Sequence, residues 1–410
     1  MSIVIYAIPL YLILIFIEFM VDRARHTGYY RINDAFGSLS LGIMSRSSKL
    51  VLIGAGTVFI DKLLPEARLW QLSADSVWVW LFTFVAYDFT YYWLHRISHS
   101  INFFWAGHVV HHSSEEYNLT TALRQTSSDV GVWLFSVPLL LTGVPVEVYL
   151  TCVGLNLIYQ FWVHTRLIDK LWPWYEAVMV TPSHHRVHHA QNAVYIDRNH
   201  GGVFILWDKW FGTFQAELAD EDIIYGVRRP LHSFNPLWAN VQVWWSLMQD
   251  AWHTRRWRDK LRLWWMPTGW RPADVEVRYP LLKSDLSAFT KYDPDVDRPV
   301  QIYGMAQLTM NIGLLVYFLF YFAGLDSALL LSGFALISLP LITTGWLFEG
   351  RSHWWEGARL LLSWVLLVMA SALIPQTAVW VFGGYLILSS LFYTGLFLLG
   401  TTGVTRASAG

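Results

Sequence analysis

Runs of apolar residues about as long as a bilayer is thick decide what this chain can fold into. The first twenty residues, "MSIVIYAIPLYLILIFIEFM", carry a single charge, Glu18. About twenty such residues make one membrane-crossing helix. No basic stretch precedes them, and "VDRARH" follows instead of a small-residue cleavage site. The segment therefore reads as a retained membrane helix, not a secretion signal. Further runs cover about 39–60 and 77–94. The stretch from Val130 to Val163 is broken by Pro138, Gly143 and Pro145, and reads as a helical hairpin turning at "TGVPVE". Four more runs, about 302–323, 327–348, 358–374 and 378–399, are joined by short loops. The expectation is an all-α, polytopic integral membrane protein, a helical bundle in the lipid bilayer.

Composition agrees. Charged residues make up 14% of the chain and hydrophobic ones 54%, where a soluble domain carries roughly 25% charged residues. Net charge is −1, and no basic patch marks a nucleic-acid partner. Cys152 is the single cysteine, so neither a disulfide within the chain nor a thiolate metal site is available.

Basic residues orient the bundle. Arg23, Arg25, Arg31, Arg96, Arg124, Arg351, Arg359 and Arg406 share one side if the N-terminus lies outside; Lys62 and Arg68 are a mild exception. This predicts two regions. Residues 1–300 hold the N-terminal spans with a cytosolic histidine-rich cap, and 301–410 form a C-terminal four-helix membrane region. Within the polar stretch 166–300, Trp238, Val241, Trp245, Met248 and Trp252 share one helical face, followed by Arg255, Arg256, Arg258, Lys260 and Arg262. That pattern predicts a helix lying in the membrane interface.

Ten of the 15 histidines fall between residues 95 and 189. His95 and His99 are spaced i, i+4. His108, His111 and His112 are spaced i, i+3, i+4, and His185, His188 and His189 repeat that pattern beside His184. Gln160 and His164 are again i, i+4. On a helix each spacing places its members on one side. One such pair is ordinarily a solvated or packed feature; four at the ends of membrane runs point to a shared centre. Neutral imidazole is a common metal ligand. Eight or nine of them exceed the needs of one ion, so two metals are implied. A hydrolytic zinc site uses three protein ligands and a water, whereas an all-nitrogen, redox-capable pair suits iron and O2. His26, His232, His253 and His353 are isolated, and His200 in "DRNHGG" reads as structural.

The boxes H-x3-H, H-x2-H-H and a later H-x2-H-H resemble those of the fatty acid hydroxylase/sterol desaturase superfamily. "YYWLHRISHS", "WAGHVVHHSSEEYNLTTALRQ", "LIYQFWVHT", "TPSHHRVHHAQN" and "LWDKWFGTFQAE" look closely like the alkylglycerol monooxygenase family within it, over about 80–235. The resemblance implies a membrane di-iron monooxygenase using O2 and tetrahydrobiopterin. Such an enzyme hydroxylates the ether-linked carbon of an alkylglycerol, and the product collapses to a fatty aldehyde and a glycerol. The metal histidines carry over to His95, His99, His108, His111, His112, His185, His188 and His189. His164 matches a ligand position in related hydroxylases, and Gln160 stands where some relatives have another histidine. The family's acidic residue after the second histidine is Ser100 here.

Around the boxes, Asp88 shares the helix face of His95, where a carboxylate would orient a ligating imidazole. Glu115, Asn118, Arg124 and His184 are further candidates for such support. Glu18 has no evident partner in the sequence. With no heme or nucleotide motif, electrons must come from an external donor. Two rivals stand beside the ether-lipid reading. One is a hydroxylase or desaturase of acyl chains, sterols or other bacterial lipids. The other is a metal-binding transporter, whose ligands would sit near the bilayer midplane, whereas these histidines follow the spans.

Overall fold

The computed structural model describes residues 3–63, 67–128, 131, 133–281, 285–321 and 327–398. Side chains of 50–63, within the second apolar run, lie outside the described residues. Helices dominate, and among the described residues the only β pairings are isolated bridges.

In chain order the helices are α1 (Ile3–Arg25), α2 (Ile32–Leu63), α3 (Val77–Ser100), α4 (Asn102–His112), α5 (Leu119–Ala122), α6 (Trp133–Leu141), α7 (Val146–Trp162), α8 (Pro173–Glu176), α9 (Pro182–His188), α10 (Leu206–Trp210), α11 (Pro236–His253), α12 (Trp257–Arg262), α13 (Ala273–Arg278), α14 (Arg298–Tyr321), α15 (Ser327–Phe348), α16 (Trp354–Ala370) and α17 (Gln376–Leu398).

Among the described residues, four segments are long and apolar enough to cross a membrane: Ile3–Arg25, Arg298–Tyr321, Ala328–Phe348 and Gln376–Leu396. The expected run 39–60 lies partly outside the described residues, and the others differ for separate reasons. The expected hairpin forms, but its arms have 9 and 17 residues, about 14 and 26 Å against a hydrocarbon core of about 30 Å. α16 has 17 residues. α3 is long enough, but its apolar character comes largely from Trp and Tyr, and it carries Asp88, His95, Arg96 and His99.

The chain folds into two compact units that do not follow its linear order. One comprises Met1–Tyr30, Ala55–Leu231 and Asn240–Thr290; the other comprises Arg31–Gly54, His232–Ala239 and Lys291–Gly410. The last segment of the second unit begins at Lys291, near the boundary expected at residue 300, and the first half of α2 groups with it.

In the first unit, α3, α6 and α7 share a core of Val79, Leu139, Leu140, Val144, Val148 and Cys152. α1 packs on α5 and α7 through Val4, Ala7, Leu119 and Ala122, with Tyr11 stacked on Phe161 at 4.1 Å. The hairpin turn depends on Gly143. Its φ is +90°, and a Cβ there would lie 1.7 Å from the Trp70 carbonyl oxygen.

In the second unit α14–α17 form a closed ring of neighbouring helices. Its interior holds a polar knot: the Glu356 carboxylate accepts from Tyr303, Thr343 and Arg359. Charges inside a membrane bundle persist only when paired in this way.

Gly143→Ala tests the turn. Left-handed backbone strain and the main-chain clash are expected to cost about 2 kcal/mol or more. A lowered midpoint of thermal unfolding in detergent is the expected result.

Candidate metal centre

α3 ends, α4 begins and α9 packs so that nine imidazoles meet in the buried interior of the first unit. The ring nitrogens of His95, His99, His108, His112 and His188 lie within 4.8 Å of one another, as do those of His111, His164, His185 and His189. These are the nine histidines expected from the sequence.

Helical geometry explains the division. Adjacent residues on a helix point about 100° apart. In α4, His108 and His112 therefore serve the first group, while His111 turns to the second. At α9, His188 serves the first, and His185 and His189 the second. α9 can start sharply because Pro182 sits in its first turn, where no N–H is needed. His164 follows the α7 C-cap, Val163.

The tautomers are set by backbone carbonyls. Nδ1 of His95 donates to His200 O (2.8 Å), His111 to Arg124 O (2.9 Å), His164 to Gln160 O (2.7 Å) and His188 to Arg198 O (2.8 Å). With the proton fixed on Nδ1, the lone pair sits on Nε2. These Nε2 atoms crowd together. His99 and His108 each approach His112 at 3.1 Å, His111 and His185 approach His164 at 3.3 and 3.1 Å, and His189 approaches His185 at 3.2 Å. Nε2 of His95 and of His188 are buried with no protein partner. Metal–nitrogen bonds of about 2.1 Å place neighbouring ligand nitrogens roughly 3.0–3.4 Å apart, so the spacing fits a metal ion in each group. Burial, and then neighbouring imidazoles, hold His112, His185, His188 and His189 well below the ordinary value, and burial brings His111 to about 4. They are neutral and ready to ligate at pH 7.

The supporting residues divide. Asp88 does not orient His95 as expected. Its carboxylate accepts from Asn156 Nδ2, Val203 N, Phe204 N and Trp207 Nε1 at 2.7–3.1 Å, so it fastens α3 to α7 and the 203–207 turn. Gly202 fits against it because a Cβ there would lie 2.9 Å from Asp88 Oδ1. Gln160 is not in either group; its side chain joins Tyr91 to Asn156, and its carbonyl orients His164. Arg124 orients His111 through its carbonyl, and its guanidinium donates to Val110 O and Ser113 Oγ. Asn118 caps α5 and holds Tyr29 O. Glu115 is buried outside both groups. His184 packs its ring on Phe214, away from both.

Two features escaped the sequence reading. One is the loop 197–200. The carbonyls of Arg198 and His200 orient two ligand-type histidines, and the Asp197 carboxylate stands 3.6 Å from His99 Nδ1. Asp197 and Asn199 are left-handed, φ +57° and +55°. Asp and Asn tolerate that conformation best after Gly, and "DRNHGG" was the available signal. The other is Glu18. It is not partnerless: the carboxylate accepts from Tyr30 Oη, Leu119 N (2.7 Å) and Thr165 Oγ1 (2.5 Å). It ties α1 to the residue after His164 and to the segment after the second histidine box.

Residues 80–213 match the fatty acid hydroxylase family model. The site, the membrane-length helices and that match define a membrane oxidoreductase, a lipid monooxygenase of the fatty acid hydroxylase type. The chain is 36% identical to the alkylglycerol monooxygenase of Xenopus tropicalis over 83% of its length and 76% of the relative's. It is 35% identical to the human one, over 84% and 77%. It therefore belongs to the alkylglycerol monooxygenase family. An ornithine lipid hydroxylase of Rhizobium tropici is 27% identical over 31% of this chain and 39% of the relative's. No solved structure matches it.

Two outcomes are expected. Metal-free protein should lose stability as pH falls from about 6.5 towards 4. His111 titrates near 4 when folded but at about 6.5 when unfolded, so the unfolded chain binds the proton first. The loss is on the order of 1 kcal/mol per pH unit for each such histidine, read from melting curves in chelator. Glu18→Ala should leave three buried donors without an acceptor and cost on the order of 3 kcal/mol, measured as a lowered unfolding midpoint.

Proposed function

We propose that His95, His99, His108, His112 and His188 hold one iron ion, and that His111, His164, His185 and His189 hold a second. The observation that carries this is the two arrays of inward Nε2 atoms about 3 Å apart. Donors that are all nitrogen exclude a calcium or magnesium preference and suit iron. Bound iron would supply the activation of O2 needed to oxidise an unactivated C–H bond.

The named activity of the Xenopus and human relatives, alkylglycerol monooxygenase, supplies the substrate class for this reading. The ether carbon of a 1-O-alkylglycerol loses one C–H and gains a hydroxyl, with one oxygen atom of O2 inserted. The other oxygen leaves as water, taking two protons and two electrons from an external donor, for which the family resemblance points to tetrahydrobiopterin. The hemiacetal then breaks its C–O bond to the glycerol, giving a fatty aldehyde and free glycerol hydroxyl. The chain's own residues keep nine imidazoles neutral, fix the tautomers of four of them through carbonyls and bury the cluster. At Ser100, where the family pattern has an acid, the hydroxyl donates to Arg96 O (2.7 Å); Asp197 is the carboxylate beside His99. The distribution of arginines favours a centre on the cytoplasmic side.

The ornithine lipid hydroxylase relative favours a second reading, hydroxylation of a lipid other than an ether lipid. Purified enzyme given iron, O2, tetrahydrobiopterin and a 1-O-alkylglycerol distinguishes them. We expect fatty aldehyde with one O2 consumed per ether. The matching ester should not react at that carbon, which is a carbonyl and has no hydrogen to lose. His111→Ala should insert in the membrane yet lose metal and activity. A hydroxylated lipid product with the ether left intact would move the assignment to the second reading.

A further inference from the structure

α11 and α12 carry an apolar stripe that nothing in the first unit covers. Val241, Trp245, Met248 and Trp252 recur at i, i+4, i+7 and i+11 and are exposed, Trp252 by 82%. Beyond the turn the stripe continues with Trp257 (76%), Leu261 (71%) and Trp265 (61%). The opposite side is buried against protein: Leu247 packs with Ala106 and Leu263. Asp250 holds Arg271 in a two-pronged pair at 2.7 and 2.8 Å. The turn is rigid as well, because Asp274 accepts from Thr254 Oγ1 and Arg255 N, both at 2.9 Å. The segment therefore presents its aromatic side in a fixed orientation. An apolar patch of this extent marks an interaction surface, and Trp beside Arg is the composition of a membrane interface.

The charges choose the occupant. Lys260 donates to the Ala251 and Trp252 carbonyls, and Arg262 pairs with Asp259 at 2.8 Å. Arg255, Arg256 and Arg258 are exposed, and among the described residues their side chains have no hydrogen bond or ion pair. A second copy seated on this face would bring three more arginines. The acids within 241–265, Asp250 and Asp259, are already engaged by Arg271 and Arg262. Phosphate oxygens of a lipid surface supply the missing negative charge.

We propose that residues 241–265 form an in-plane anchor that inserts its Trp/Leu stripe at headgroup depth. Arg255, Arg256 and Arg258 bind anionic phospholipid there. The test uses the full chain in nanodiscs of phosphatidylcholine with phosphatidylglycerol, on a Cys152→Ser background, and needs no enzymatic activity. A nitroxide at Met248→Cys should be reached by O2 and shielded from an aqueous nickel complex. One at the exposed Asp220→Cys should show the reverse. Spin-labelled phosphatidylglycerol should be preferred over spin-labelled phosphatidylcholine. The preference should fall by about fivefold per charge removed in Arg255→Gln, Arg256→Gln and Arg258→Gln, singly and combined. Nickel access at Met248→Cys equal to that at Asp220→Cys would overturn the insertion. Dipolar broadening between Met248→Cys labels on two copies would make the occupant a second copy. An unchanged lipid preference in the combined variant would overturn the role of the arginines.

Discussion

Nine imidazoles in a space that admits almost no water are the constraint on which the first unit depends. An imidazole removed from water must keep its N–H satisfied and its other nitrogen directed. Four of the nine meet the first demand with a main-chain carbonyl. The four carbonyls lie on three local segments: the loop at 198–200, the turn at Arg124, and the last turn of α7. The irregular backbone of the cap is therefore not filler between helices. It is the frame that points the rings inward.

Two buried carboxylates hold that frame. Asp88 gathers four donors from α7 and the 203–207 turn. Glu18 gathers donors from Tyr30, Leu119 and Thr165. Both belong to long helices that pack in the first unit; Asp88 reaches the non-helical amides of Val203 and Phe204, and Glu18 reaches the first amide of α5 and the residue after His164. A carboxylate with several N–H or O–H donors can be buried at low cost, whereas one left alone cannot. The helices thus set the position of the cap without contributing most of the ligands themselves.

The sequence was most legible where chemistry is periodic. Spacing of i, i+3 and i+4 drew out the three histidine boxes and the family resemblance pointed to His164, and all nine fall into the two clusters. It could not tell which histidine serves which group, since that depends on how α4 and α9 lie together. Partners far apart in the chain were equally invisible. Glu18 looked alone because Leu119 and Thr165 are about a hundred residues or more away. Asp88 looked like a partner of His95 because helix periodicity allowed it, but the Val203 and Phe204 amides fill its oxygens. Among the described residues, four of the expected membrane runs are candidate spans by length and composition, and the runs rich in Trp and Tyr or broken by Pro form shorter or more polar helices.

α4 and α9 each send histidines to both groups. His111 and His112 are bonded neighbours in the chain, as are His188 and His189, yet the members of each pair belong to different groups. Pulling one ring into a coordination sphere therefore fixes the main chain from which its neighbour hangs. If the two groups hold ions as proposed, entry of a first ion would prepare the second position, and the half-filled protein would be a scarce species at intermediate metal supply.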